Sequence, residues 1–207
     1  MSPLVLELAS APIEAVAADL AVVAFFAEDR PLSGSAGRAD WRLCGTLSHL
    51  VVAGELRGAA GEAALLPGGG GIAAPLVMAL GLGPRADFDR AALERFAVEA
   101  LGRARRLRVG SLALGWPSRL SVPANVQAEA LLAGLGGALD PSAGPDRVRL
   151  VAGASEQAAL AEALSQHRGS LPEDLVLAIP ALPAAPGARS APTAPRLVPA
   201  KPSLRVK

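Results

Sequence analysis

The chain predicts an α/β domain, a mixed sheet covered by helices on both faces. Three observations point to it. Short apolar runs of strand length recur along the chain, and Leu20-Ala21-Val22-Val23-Ala24-Phe25-Phe26 is apolar throughout, as suits a strand buried on both faces. From the fourth strand onward, strands alternate with segments of helical periodicity. Apolar residues make up 51% of the 207 residues, enough to build a sizeable core.

Taken in order, Leu4 to Leu8 reads as a strand and Ala9 to Ala18 as a connector with room for one helical turn. Leu20 to Phe26 is the second strand, and Pro31 to Gly37 reads as loop. Asp40 is placed to cap a helix running to about Ala53, with Leu43, Leu47, Leu50 and Val51 on its apolar face. Cys44 falls inside that helix and is expected as a small buried hydrophobe. Glu62 to Leu66 and Ala74 to Leu82 read as two strands separated by Gly68 to Gly71. Asp87 or Asp89 caps the next helix, to about Arg106, whose apolar face is Leu93, Phe96, Ala97, Ala100, Leu101 and Ala104. Val109 to Leu114 is a strand. Pro123 opens a helix to about Leu139, weakened at its end by Gly134, Gly136 and Gly137. Arg147 to Val151 is a strand, Ser155 opens a helix to about His167, and Leu175 to Ile179 is a last short strand.

The composition changes at Pro180. Seven of the last 28 residues are proline, among Ala, Ser, Thr and basic residues. Such a segment buries too little apolar surface to offset its ordering entropy, so residues 1–179 are expected as the domain and 180–207 as an extended, disordered tail. Charge divides at nearly the same place. Residues 175–207 carry Arg189, Arg196, Lys201, Arg205 and Lys207 and no acid, a charge of +5; with a net charge of +1, the remainder carries −4. An acidic body argues against a nucleic-acid-binding surface. The opening residues MSPLVLELAS lack a basic segment followed by a long apolar one, and no stretch reaches the roughly 18 apolar residues of a membrane span. A cytoplasmic protein without a membrane anchor is expected. With one cysteine, neither an intrachain disulfide nor a cysteine-based metal cluster is available.

The wording and order of these elements resemble a known family. Ala18-Asp19-Leu20-Ala21-Val22-Val23 comes first, then Gly58-Ala59-Ala60-Gly61-Glu62 before a strand. Leu80-Gly81-Leu82-Gly83 follows, then Phe88-Asp89 opening an Ala-rich helix, and last Ala128-Glu129-Ala130-Leu131-Leu132-Ala133-Gly134-Leu135. Residues 1 to about 167 are similar to the N-terminal, macrodomain-like domain of the leucyl aminopeptidase (M17) family. In that family a larger catalytic domain follows and binds two metal ions through a lysine and several carboxylates. Only 40 residues follow His167 here, with Glu173 and Asp174 as their only acids and both lysines close to the terminus. The resemblance therefore implies the non-catalytic part of an aminopeptidase, with no metal site and no cofactor.

Two glycine clusters are candidate ligand loops: Gly69, Gly70 and Gly71 within the four-glycine run, and Gly81 and Gly83 at a strand-to-helix junction. A phosphate-cradling loop should follow a strand and open a helix. The first cluster is followed by a strand and by no Lys-Ser/Thr, which excludes a P-loop and favours an inter-strand turn. The second is better placed, at a strand end before a helix, although a tight turn explains it too. Macrodomains bind ADP-ribose, using a glycine-rich loop and an Asn-containing stretch after an early strand. The corresponding stretch here is Ala27-Glu28-Asp29-Arg30, whose carboxylates would repel a phosphate.

His49 reads as a packed or surface histidine, and His167 as a cation at a helix end. Ser48 and His49 are adjacent and cannot face each other on a helix, so no nucleophilic triad is indicated. Glu94, Arg95, Glu99 and Arg103 read as a solvated helix face, and Arg103, Arg105, Arg106 and Arg108 as a charged helix end. In the tail, Pro195, Arg196, Lys201 and Arg205 form a polyproline-biased basic segment suited to a partner's groove. The function expected is therefore a non-enzymatic interaction or scaffold protein that binds a protein partner or itself. The alternative is a module for a nucleotide or ADP-ribose-like molecule.

Overall fold

The computed structural model describes residues 3–138 and 144–179. Seven strands form one sheet: β1 (Leu4–Leu8), β2 (Leu20–Phe25), β3 (Ala63–Pro67), β4 (Leu76–Gly81), β5 (Ser111–Gly115), β6 (Arg147–Val151) and β7 (Leu175–Ala178). Their order is β3-β4-β2-β5-β6-β1-β7. Every pair is parallel except β3 with β4, which is antiparallel. β2 lies inside the sheet between β4 and β5, and all six of its residues are buried, as its unbroken apolar run requires.

Five helices cover the sheet: α1 (Gly34–Arg42), α2 (Thr46–Val52), α3 (Arg90–Arg106), α4 (Ala124–Gly137) and α5 (Ala154–Gln166). α3, α4 and α5 bury one face, where Leu93, Phe96, Leu131, Leu135, Leu160 and Leu164 meet Leu6, Leu20, Val22, Leu112, Leu114 and Val148. α1, α2 and the connector after β1 cover the other face through Ile13, Ala36, Ala39 and Leu47, packed on Ala21, Val23, Phe25, Val77 and Ala79. Alternate residues of β2 serve the two cores, as the two-residue period of a strand dictates.

Asp89 caps α3 by accepting a hydrogen bond from the Ala92 amide at 2.8 Å, and all six residues expected on its apolar face are buried. Gly134 lies inside α4 rather than weakening its end. A Cβ there would stand 2.7 Å from both Ala97 Cβ and Glu94 O, so its hydrogen lets α3 and α4 approach closely.

The region after β2 differs from expectation. The loop from Pro31 ends at Ser33, and the single helix from Asp40 is instead two. α1 begins at Gly34 and stops at Arg42; Cys44 (φ 54°) and Gly45 (φ 80°) turn the chain through left-handed conformations before α2. The Asp40 carboxylate does cap a helix, but the second one: it accepts from the Ser48 amide at 3.0 Å in the first turn of α2. Cys44 thereby lands in the turn and is exposed, not buried.

The tail from Pro180, with Pro195, Arg196, Lys201 and Arg205, lies outside the described residues. Among the described residues no helix is long and apolar enough to cross a membrane.

Candidate functional site: a crevice over the strand ends

The parallel strands direct their C-terminal ends to one edge of the sheet, and the loops that leave them build two different neighbourhoods. The loops after β2, β4 and β5 are tied together by Arg85. Its guanidinium donates to Asp29 Oδ1 at 2.8 Å and to the carbonyls of Ser118 and Arg119, both at 3.2 Å, and lies 3.9 Å from the centroid of the Phe26 ring. The Glu28 carboxylate accepts from the Arg85 amide, and Asp29 Oδ2 accepts from the Phe26 amide. The two acids that follow β2 are therefore engaged within the protein.

The loops after β1 and β6 border that cluster at Ser118 and leave an open crevice of about 350 Å³. Ser10 and Ile13 come from the loop after β1, Gly34 and Ser35 from the start of α1, Ser118 from the loop after β5, and Gln157 from α5. The packing at its base is close: a Cβ on Gly115 would lie 2.4 Å from Ser35 Oγ, and one on Gly34 (φ 58°) 3.1 Å from Ser118 Oγ. The crevice shares Gly34 and Arg38 with a shallower depression lined by Trp41 and Arg42.

The two helix N-termini at the crevice differ. Ser33 precedes α1 without forming a side-chain cap, so the first-turn amides of α1 keep their partial positive charge. At α5, the Glu156 carboxylate folds back against Gly153 and accepts from the Arg119 amide at 3.2 Å, so that end already holds an anion. Beside α1, Glu14 pairs with Arg38 through both carboxylate oxygens, with Arg42 3.8 Å away. The hydrogen bond from Arg38 holds the Glu14 carboxyl below the usual glutamate range despite its burial and raises Arg38 in turn. Two guanidiniums against one carboxylate leave this rim positive. The arrangement offers amides, hydroxyls and a net positive edge to an anionic group at the start of α1.

The five glycines singled out in the sequence fall into two distant groups. Gly69 and Gly70, at φ 61° and 76°, form the solvent-facing tip of the antiparallel β3–β4 hairpin, and Gly71 packs on the Arg42 carbonyl. This is an inter-strand turn at the N-terminal end of β4. Gly81 and Gly83 lie at its C-terminal end, roughly 20 Å away for a six-residue strand. There the chain's own 58–61 loop takes the space: Gly83 donates to Gly58 O at 2.8 Å, and a Cβ on Gly81 would stand 2.3 Å from Ala59 O. None of the five lines the crevice.

Sequence reasoning missed Gly34, Ser35 and Ser118. The Ser33-Gly34 pair before a helical segment is the available signal, obscured because apolar spacing puts the helix start at Asp40. His49 is exposed on α2, and His167 ends α5 with its ring 2.9 Å from Ala163 O, both away from the crevice. Among the described residues no three His, Cys, Asp or Glu side chains gather as a metal site would require.

The fold is that of the macrodomains. It superposes on a macrodomain of Oceanobacillus iheyensis, a D40A mutant, with a TM-score of 0.61 at 13% identity, covering 80% of this chain and 93% of that one. A Trypanosoma brucei macrodomain in complex with ADP gives 0.59 at 17% identity, covering 77% of this chain and 68% of that one. Tomato leucine aminopeptidase, as the K354E mutant, gives 0.54 at 16% identity, covering 82% of this chain. The chain spans only 37% of the tomato enzyme, about a third of its length. No curated protein matches. By sequence, residues 22–140 match the N-terminal domain of the cytosol aminopeptidase family, and the chain belongs to that family.

Proposed function

We propose that this chain is a non-catalytic binding module whose recognition site is the crevice at the start of α1, and that its ligand is a small molecule carrying a phosphate or similar anion. The observation that carries this reading is the uncapped α1 N-terminus, which opens into a 350 Å³ hollow lined by Ser35 and Ser118 beside a positive rim. That volume lies within the usual range for ligand sites. The likeness to a macrodomain in complex with ADP concerns the fold and makes nucleotides the class to test first.

Calorimetric titration of the full chain with ADP, ADP-ribose and inorganic phosphate tests it. Saturable heat with a nucleotide, abolished by Ser35→Trp, is the expected result. No heat at millimolar nucleotide overturns the reading. Metal-dependent peptide hydrolysis that stays with the chain through every column overturns its non-catalytic part.

A second reading, docking of a protein partner or a second copy, has its own support. Trp41 on α1 is 79% exposed and Val52 on α2 is 86% exposed, and tryptophan is among the residue types enriched at the centres of protein interfaces. Light scattering of the full chain and of Trp41→Ser tests self-association, and pull-down with mass spectrometry tests a partner. A strictly monomeric, partnerless protein counts against this reading.

A further inference from the structure

A second hollow lies on the α3 side of the sheet and shares no lining residue with the crevice. Leu80, Leu82, Phe88, Ala92 and Phe96 wall a cavity of about 220 Å³ between the end of β4 and α3, roofed by Ala60 and Gly61. It exists because small residues stand where larger ones would fill it, Ala92 on α3 and Ala60 in the roof. Its size exceeds the roughly 150 Å³ of an apolar cavity that takes up benzene.

The roof is fixed in place before any ligand arrives. Glu62 accepts hydrogen bonds from the amides of Arg57, Gly58 and Ala59 at 2.8, 2.7 and 3.2 Å. Arg103 reaches from α3 to Gly61 O at 2.7 Å. Gly81, with no side chain, lets this loop lie across the strand end.

Charge at the mouth is lopsided. Arg95 and Glu99 lie one turn apart on α3 at the rim. Glu99 is held by Arg103 at 2.9 Å and approached by Arg106 at 3.9 Å. Arg95 is exposed and has no ion-pair partner among the described residues. Glu99 is thus engaged by two guanidiniums from its own helix, and Arg95 stands at the rim of the apolar hollow.

We propose that this cavity is a binding site for a compact amphipathic carboxylate, its aromatic or branched aliphatic body against Phe88, Phe96 and Leu80 and its anionic head on Arg95. The pairing matches chemistry on both sides: apolar surface leaves water inside, and the carboxylate meets a planar fork that is free to bind it.

Titration of the full chain with phenylacetate and with neutral phenylacetamide, followed by backbone-amide NMR, tests the site. Saturable shifts confined to residues 58–62, 80–83 and 88–99 are expected, with millimolar affinity for the acid and about threefold or more weaker binding of the amide. Arg95→Gln removes that preference, and Ala92→Phe abolishes binding of both. Ala60→Leu fills the hollow from the roof and gives the same loss should Ala92→Phe not fold. Absence of saturable shifts, shifts centred on the crevice at α1, or equal affinity for acid and amide overturns the proposal.

Discussion

Arg85 and Asp29 meet at 2.8 Å although 56 residues separate them, and the contact joins the loops after β4 and β2. The same guanidinium covers the Phe26 ring and binds two carbonyls of the loop after β5. Replacing Arg85 with Ala is expected to cost about 1–2 kcal/mol in urea unfolding, less than the summed contacts because the side chain is partly solvated. Arg85→Lys should recover part of that loss, since an ammonium keeps the charge but cannot bridge an acid and two carbonyls in one plane. Because Ser118 also lines the crevice, Arg85→Ala should weaken nucleotide binding as well. Unchanged unfolding would show that the cluster is decorative.

Glu62 supplies a pH-dependent element. Burial pushes its carboxyl up, but the hydrogen bonds from Arg57, Gly58 and Ala59 outweigh that and leave it below the ordinary glutamate value. A carboxyl lowered in the folded state adds stability that is complete above its unfolded pKa and is lost as pH falls through the folded one. Glu62→Gln should therefore destabilise by about 1 kcal/mol at neutral pH, and the gap to the parent should close in strong acid. A gap independent of pH would remove the carboxylate from the account.

Solvent access gives two quick checks on the α1–α2 region. Trp41 is 79% exposed and Trp116 is 3% exposed, with its indole nitrogen donating to Gln127 at 2.8 Å. Acrylamide should quench one component of the fluorescence readily and leave the other largely protected, and Trp41→Phe should remove the quenchable one. Cys44, exposed in its turn, should react with Ellman's reagent in the folded protein at the rate of a free thiol. Protection of Cys44 until denaturant is added would contradict its exposed place in the turn.

The two glycine groups should answer substitution differently. Gly70 faces open space at φ 76°, so Gly70→Ala should cost only the left-handed backbone penalty, about 1 kcal/mol, and leave ligand binding intact. Gly81→Ala would place a methyl group 2.3 Å from the Ala59 carbonyl, displace the 58–61 loop, and cost about 2 kcal/mol or more. It should also abolish phenylacetate binding, because that loop roofs the cavity. Equal effects at the two positions would contradict their assigned roles.

Local signals were legible in the sequence to the extent that they depended on neighbours along the chain. The all-apolar β2, the Asp89 cap with the six-residue face of α3, and the alternation of strands and helices after β4 are written in residue spacing, because burial and capping act over one or two turns. The four-glycine turn was readable for the same reason: a strand followed it. Tertiary structure decided what distance along the chain conceals. It broke the helix at Cys44 and Gly45 and lent Asp40 to the second piece, because the left-handed turn brings the Ser48 amide within reach of its carboxylate. It consumed Glu28 and Asp29 in binding Arg85, and brought Ser10, Ser35 and Ser118 to one crevice from two loops and the start of α1. Composition and periodicity determine which segments become strands and helices; which loops then share a space depends on strand order, and strand order is settled only when the two faces of the sheet are buried together.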